Sequence, residues 1–146
     1  MNKIAIFLNG LRGITIARKL LNNNLSLTNI ISPEKHQNLE MIIEFCKTNK
    51  IKLITSINPN NDQRILNLKS DLNIIAGYST IFNEKILNAP RLGTINLHAG
   101  ALPKYRGGSP LNWQIINGEK TFSCSIIYAT LKIDSGEILA EKKIEI

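Results

Sequence analysis

Three residues of types that can catalyse group transfer lie in the second half of the chain. Asn96 and His98 close an apolar run, and Asp134 follows in an Asp-Ser-Gly turn. Histidine can exchange a proton near neutral pH, an amide can donate to a developing oxyanion, and a carboxylate can orient or charge the histidine. On a strand, Asn96 and His98 would share one face, and the loop carrying Asp134 could fold over them. The set suits acyl transfer through a tetrahedral intermediate.

Each of these residues also has a structural explanation when it is considered alone. Asn96 could be a turn former, His98 a satisfied polar residue and Asp134 an Asx-turn residue. The sequence has neither a Gly-x-Ser-x-Gly nor a Cys-His pattern, but no protein nucleophile is needed if the acceptor is itself an amine. The order of the three residues within one strand-loop-helix-strand-loop segment favours a shared site.

The elements that must position these residues alternate between apolar runs and segments of helical periodicity. This alternation predicts an α/β fold, a Rossmann-like three-layer domain with a mainly parallel sheet, and residues 1–146 show no second domain boundary. Helices are predicted from about Leu11, His36, Asp62, Ile81 and Pro110, and in the last of them we expect Trp113 and Ile116 to be core residues. Strands are predicted at 3–8, 26–31, 51–54, 71–78, 94–98, 121–128 and 138–146.

Composition narrows the class of protein. The chain has 146 residues, is 43% hydrophobic and carries a net charge of +7. Its lysines and arginines are scattered and aromatics make up only 5%, so a solvated basic surface is favoured over a nucleic-acid platform. No run is apolar enough to span a membrane and no secretory leader is recognisable, so we expect a cytoplasmic protein. Cys46 and Cys124 are expected as buried thiols, without a disulfide or a metal site.

Two further features have balanced interpretations. The turn from Gly10 to Gly13 precedes a helix whose free N–H groups could hold an anion, but it lacks the full dinucleotide-binding spacing. A structural turn and a phosphate or substrate contact are about equally supported. His36 lies near a predicted helix start and is interpreted as a surface residue.

Five motifs lie in the second half of the chain: Asn96-Leu-His98, Leu102-Pro-Lys-Tyr-Arg-Gly107, Pro110-Leu-Asn-Trp113, Ile116-Asn-Gly-Glu119 and Asp134-Ser-Gly136. Through these motifs the chain resembles the folate-dependent formyltransferase family. The resemblance implies a formyltransferase fold, transfer of a formyl group from 10-formyltetrahydrofolate to an amine, and Asn96, His98 and Asp134 as the catalytic residues. Gly100 stands where many members have serine, and the chain is shorter at its C-terminus than the family's catalytic domains.

The same resemblance implies which residues surround the donor and the acceptor. On the acceptor side the implied residues are Gly10, Gly13, Tyr105 and Arg106. Arg106 alone could equally be a structural salt-bridge residue. Around the pterin of the donor, largely through backbone contacts, they are Ile75, Ala76, Gly77, Tyr78, Leu131, Ile133 and Gly136.

The acceptor is expected to be a small-molecule amine. The Leu102-Pro-Lys-Tyr-Arg-Gly and Pro110-Leu-Asn-Trp motifs are most similar to the formyltransferase half of the bifunctional enzyme that modifies UDP-4-amino-4-deoxyarabinose, which implies a nucleotide-linked amino sugar. Methionyl-tRNA is the second candidate, disfavoured by the absence of a C-terminal RNA-binding domain. A truncated folate-binding relative without activity and a hydrolase that releases formate stay open, as does a homo-oligomer.

Overall fold

The computed structural model of the protein describes residues 2–145, which form a seven-stranded sheet with five helices. The predicted end of the last strand at residue 146 lies outside the described residues. The strands are β1 (Lys3–Leu8), β2 (Ser26–Pro33), β3 (Lys52–Ser56), β4 (Leu72–Ala76), β5 (Thr94–His98), β6 (Thr121–Tyr128) and β7 (Ile138–Glu145). The helices are α1 (Leu11–Asn22), α2 (Leu39–Asn49), α3 (Gln63–Leu66), α4 (Glu84–Asn88) and α5 (Pro110–Ile116), and a 3-10 turn spans Pro59–Asn61.

The strand order places a crevice at the middle of the sheet. The order is β3-β2-β1-β4-β5-β6-β7; β1 to β5 run parallel, and β6 and β7 are antiparallel to their preceding neighbours. The prediction of a mainly parallel, Rossmann-like sheet is therefore confirmed. After β1 the chain builds β2 and β3 on one side and then β4 and β5 on the other. In such sheets ligands bind at the carboxyl ends of the strands, where the order reverses.

Each face of the sheet buries its own apolar core. In β1 the alternate side chains Ile4, Ile6 and Leu8 pack with α1 and α2, whereas Ala5 and Phe7 face α3 and α4. This alternation follows from the two-residue period of a strand that is buried on both faces. The two cores hold the strand ends in a fixed arrangement, and side chains that follow those ends lie on a rigid base.

Several boundaries differ from the predicted ones for local reasons. β2 continues through Pro33. Proline has no backbone N–H, but at the last position of the strand this interrupts no later hydrogen bond of the ladder. α2 begins at Leu39 instead of residue 36, since the His36 ring and carbonyl accept from the next residues in a turn. α4 begins at Glu84 because the Asn83 side chain accepts from Ile86 N and caps the helix.

The expectation that Trp113 and Ile116 are core residues is wrong. They are 55% and 70% exposed. α5 instead turns Gln114 inward, where this side chain is completely buried and hydrogen-bonded on all sides. A short helix that packs mainly on one strand has room for a single inward position, and here an amide occupies it.

Both cysteines are free thiols. Cys46 is buried and Cys124 is partly buried. Burial raises the pKa of Cys46 to about 11 and raises that of Cys124 as well, so both stay protonated near neutral pH. The longest helix, α1, has 12 residues, and none between residues 2 and 145 is long and apolar enough to cross a bilayer.

Candidate active site

The structure brings Asn96, His98 and Asp134 together at the carboxyl end of β5. Asn96 and His98 lie two positions apart on this strand and face the α4 side. Asp134 comes from the loop between β6 and β7. Asn96 Nδ2 donates to Asp134 Oδ1 at 3.1 Å, and His98 Nδ1 lies 3.3 Å from Asp134 Oδ2. The carboxylate thus bridges the amide and the imidazole.

The Asp134 backbone is held in an uncommon conformation. Its φ is 45°, in the left-handed region that Asp and Asn tolerate better than most residues. Gly107 N donates to Asp134 Oδ2 at 2.9 Å, and Arg106 Nε donates to the Asp134 carbonyl at 2.9 Å. The loop before α5 therefore fixes both the side chain and the main chain of Asp134. The side chain is only 10% exposed, so these contacts are shielded from water.

His98 has both ring nitrogens engaged. Nε2 lies 2.6 Å from the Tyr105 carbonyl, and Nδ1 faces the Asp134 carboxylate. A carbonyl oxygen only accepts, so Nε2 carries a hydrogen. A carboxylate likewise favours a hydrogen on Nδ1. Both ring nitrogens are therefore engaged, in a side chain that is 6% exposed.

A dense set of contacts fixes the segment that follows His98. Gln114 Oε1 accepts from Ala101 N and Ser123 N, and its amide donates to the Ala99 and Pro110 carbonyls. Together these bonds join the loop after β5, the start of α5 and β6. Gln114 acts on the site through this loop rather than by contacting its open side.

Gly100 lies so close to His98 that the structure explains its lack of a side chain. A Cβ at this position would be 2.7 Å from Pro110 Cβ, 2.8 Å from His98 Nε2 and 3.0 Å from the Tyr105 carbonyl. Such distances are shorter than normal packing allows. The glycine therefore permits the hydrogen bond between His98 and Tyr105.

A cavity of about 450 Å³ opens beside the three residues. Its walls come from the end of β4, the segment after it, and the loop between β6 and β7. Five of the residues implied for the donor line it: Ile75, Gly77, Tyr78, Leu131 and Ile133. Burial, and secondarily the charge of Asp62, raises the pKa of Tyr78 to about 12, so its phenol is neutral and can donate a hydrogen bond at any physiological pH.

Ala76 and Gly136, the other two residues implied for the donor, do not line this cavity. Ala76 is 3% exposed and packs in the core on the α1 side. A Cβ on Gly136 would overlap the Tyr128 carbonyl, so this glycine lets the loop pass close to β6. Its role in the described structure is to bring Asp134 into position.

The residues implied for the acceptor are dispersed. Gly13 packs against Leu8, where a Cβ would overlap, so it serves the contact between α1 and β1. Gly10 lines a separate depression together with residues 36–38. Tyr105 and Arg106 line another depression beside Trp113, behind the loop that supports Asp134. Arg106 is engaged with the Asp134 carbonyl, which makes it a support of the site in this structure.

Sequence reasoning missed several residues of this site. Arg12 lines both the cavity and the depression beside Gly10, and it is in no ion pair with residues 2–145. Ile81 and Phe82 also line the cavity, beyond the segment Tyr78-Ser-Thr80 that the sequence had indicated for main-chain contacts to a planar ligand. Their positions in the sequence could have indicated that they line the crevice, because each follows a strand whose carboxyl end lies there. No group of three or more His, Cys, Asp or Glu within residues 2–145 is placed to hold a metal ion.

Comparison with known proteins gives the family. The sequence model described as Formyl transferase matches residues 27–146. Methionyl-tRNA formyltransferase of Staphylococcus epidermidis (strain ATCC 12228 / FDA PCI 1200) is 44% identical over 84 residues, covering 58% of this chain and 27% of that protein. The bifunctional polymyxin resistance protein ArnA of Wigglesworthia glossinidia brevipalpis is 51% identical over 79 residues, covering 54% and 12%.

The fold has close counterparts among solved structures. Glycinamide ribonucleotide transformylase 1 from Symbiobacterium toebii superposes with a TM-score of 0.83 at 17% identity, over 99% of this chain and 74% of that one. The curated relatives above are matched over about a quarter of their length or less. Since the family model covers well over half of the sequence, the chain belongs to the formyl transferase family.

Proposed function

We propose that the protein transfers a formyl group from 10-formyltetrahydrofolate to a primary amine. The observation that carries this proposal is the joined set of Asn96, His98 and Asp134 at the mouth of a cavity of about 450 Å³, in a member of the formyl transferase family. The Asn96 amide supplies an oxyanion donor, the Asp134 carboxylate supplies a proton acceptor, and the His98 imidazole holds that carboxylate in place.

The cavity has the properties that a folate donor requires. Its volume lies within the range of about 300–1,000 Å³ that small-molecule sites occupy. Ile75, Leu131 and Ile133 provide apolar surface for a flat ring, and backbone groups next to Gly77 can pair with the ring's polar edge. When bound, the donor supplies a formyl carbon attached to nitrogen and open to attack by an amine.

The chain's own residues would then do the following. Asn96 uses one amide hydrogen on Asp134 and keeps the other for the formyl oxygen as negative charge develops there. Because both nitrogens of His98 are engaged, His98 acts by holding the Asp134 carboxylate in place beside the reacting atoms. The amine nitrogen bonds to the formyl carbon, Asp134 accepts the amine proton through water, and the bond to the donor nitrogen breaks as that nitrogen takes up a proton.

For the acceptor we propose a nucleotide-linked amino sugar. The 51% identity with ArnA and the Pro110-Leu-Asn-Trp113 motif support this choice. An anionic acceptor also suits the position of Arg12, whose guanidinium lies between the cavity and the neighbouring depression. Methionyl-tRNA is the second candidate, supported by the 44% identity with the staphylococcal methionyl-tRNA formyltransferase.

The proposal is tested by incubating the full chain with 10-formyltetrahydrofolate and one acceptor at a time. The acceptors are a UDP-linked 4-amino sugar, methionyl-tRNA, and water alone. Formylated sugar together with an equal amount of tetrahydrofolate supports the proposal. Formylated methionyl-tRNA would instead identify methionyl-tRNA as the acceptor. Formate release without an amine indicates a hydrolase. Thermal stabilisation by the donor without any product indicates a folate-binding relative without activity.

A further inference from the structure

One wall of the cavity is formed by a continuous stretch of chain. Residues 77–82 all line it, directly after β4. Two aromatic side chains anchor this wall inward: the Phe7 ring lies 5.7 Å from that of Tyr78 and 4.7 Å from that of Phe82. Between these anchors the wall has little apolar support, because Ile81 is 62% exposed. Another contact must fix the outer part of the wall.

Asn60 supplies that contact from a distant part of the sequence. Its Nδ2 donates to the Ile81 carbonyl at 2.9 Å, and its Oδ1 accepts from Asn83 N at 2.9 Å. The Asn60 carbonyl also accepts from Asn83 Nδ2 at 3.3 Å. One side-chain amide therefore holds the wall at Ile81 through its donor and the residue that directly follows the wall, Asn83, through its acceptor.

The amide of Asn60 is itself well positioned. It lies in the 3-10 turn Pro59–Asn61, where Asn58 Oδ1 accepts from Asn60 N at 3.1 Å and Pro59 is fully buried. On the other side, Asn83 caps α4. Asn60 thus connects a turn that follows β3 with the start of α4, and the wall lies between these two fixed points. Asn60 does not itself line the cavity.

We propose that Asn60 is a positioning residue that fixes the wall at residues 77–82 in the conformation that binds the formyl donor. This inference rests on the proposed function, since that function assigns the cavity to the donor. A backbone wall can recognise a ring edge only if its carbonyls and N–H groups are held in place, because each hydrogen bond weakens steeply with misalignment. Asn60 acts on donor affinity and not on the reacting atoms.

The experiment compares Asn60→Ala with Asn60→Asp and with Asn61→Ala as a matched control. Asn61 lies next in the same turn, is exposed, and has no side-chain hydrogen bond with residues 2–145. Asn60→Ala removes the side-chain bonds to Ile81 in the wall and to Asn83 directly after it. We therefore expect the KM for the donor to rise about tenfold, with kcat and acceptor KM within about twofold of the starting protein. Asn60→Asp keeps the acceptor for Asn83 N but places a carboxylate oxygen against the Ile81 carbonyl, so donor KM should rise at least as much as in Asn60→Ala.

Two direct measurements separate failure of this inference from failure of the proposed function. Calorimetry with 10-formyltetrahydrofolate alone should show the same loss of affinity in Asn60→Ala even if no acceptor is ever formylated. Hydrogen exchange at Asn83 N should accelerate in Asn60→Ala and not in Asn61→Ala. Unchanged donor Kd and KM in a folded Asn60→Ala protein would overturn the inference, as would an equal effect of Asn61→Ala. If Asn60→Ala does not fold, Asn60→Asp decides by the same readouts.

Discussion

Replacement of Asp134 by asparagine removes the carboxylate and preserves the shape of the site. Asparagine has nearly the same volume and tolerates the left-handed conformation that the φ of 45° requires, so the loop should keep its path. The carboxylate accepts hydrogen bonds from Asn96 Nδ2 and Gly107 N and faces His98 Nδ1. In Asp134→Asn one oxygen becomes an NH₂ group, so at least one of these donors meets another donor.

The size of the effect follows from these contacts. A hydrogen bond to a charged group contributes about 1.5–3 kcal/mol, which corresponds to roughly 10–150-fold in rate if it is needed in the transition state. Loss of a proton acceptor costs roughly 10²–10⁴-fold by itself. The two effects involve the same atoms and do not simply add. We therefore expect kcat to fall by roughly 10²–10⁴-fold in Asp134→Asn, with donor KM within about threefold.

The assay follows tetrahydrofolate release at saturating donor and acceptor, and product analysis confirms the formylated amine. Glu137→Gln is the matched control, because it makes the same chemical change at an exposed position three residues later in the sequence. Its kcat should stay within about twofold of the starting protein. A folded Asp134→Asn protein with kcat within about threefold of the starting value would refute the assignment of Asp134 as the proton acceptor.

Three further outcomes are expected. Gly100→Ala should destabilise the protein by about 1–3 kcal/mol in urea unfolding and lower kcat, because its Cβ would push against His98 Nε2 and Pro110; unchanged unfolding would contradict the packing described. An unfolded phenol ionises at about pH 10, whereas burial raises the pKa of Tyr78 in the folded protein to about 12, so Tyr78 lowers the free energy of unfolding as pH rises from about 10 to 12. Tyr78→Phe should therefore lose less stability over this pH range, and equal slopes of unfolding free energy against pH in the two proteins would refute this. Arg12→Ala should raise the KM of an anionic acceptor about tenfold and the KM of the donor by less, since Arg12 also lines the donor cavity; an equal or larger rise in donor KM in parallel assays would contradict this.

Periodicity and strand-end logic predicted the parts of this structure that depend on local sequence. β1, β5 and β6 have the predicted bounds, because each is a run that is apolar or alternating and ends at a turn residue. The meeting of Asn96 and His98 with Asp134 followed from their positions on a strand and a loop. These features need only local propensity and the two-residue period of a strand.

Other features of the site depend on tertiary contacts that cannot be predicted from residue type. His98 is held by the backbone carbonyl of Tyr105, and a carbonyl is present at every position of every chain. Arg12 reaches the cavity only because β4 lies next to β1, which the order of strands along the sequence does not fix. The inward residue of α5 is Gln114 because its amide satisfies four backbone groups, which outweighs the hydrophobicity of Trp113.

The two cores of the sheet have a consequence for how the protein is made. Their buried residues all come from positions 4–87, with the β5 side chains Ile95 and Leu97 packed against one of them. Asp134 lies far beyond that point. A chain emerging from the ribosome can therefore bury nearly all of both cores before Asp134 is synthesised, and the proposed reactive centre is completed on a scaffold that is already folded. A substitution at Asp134 should consequently remove the proposed chemistry in a protein whose two cores still fold.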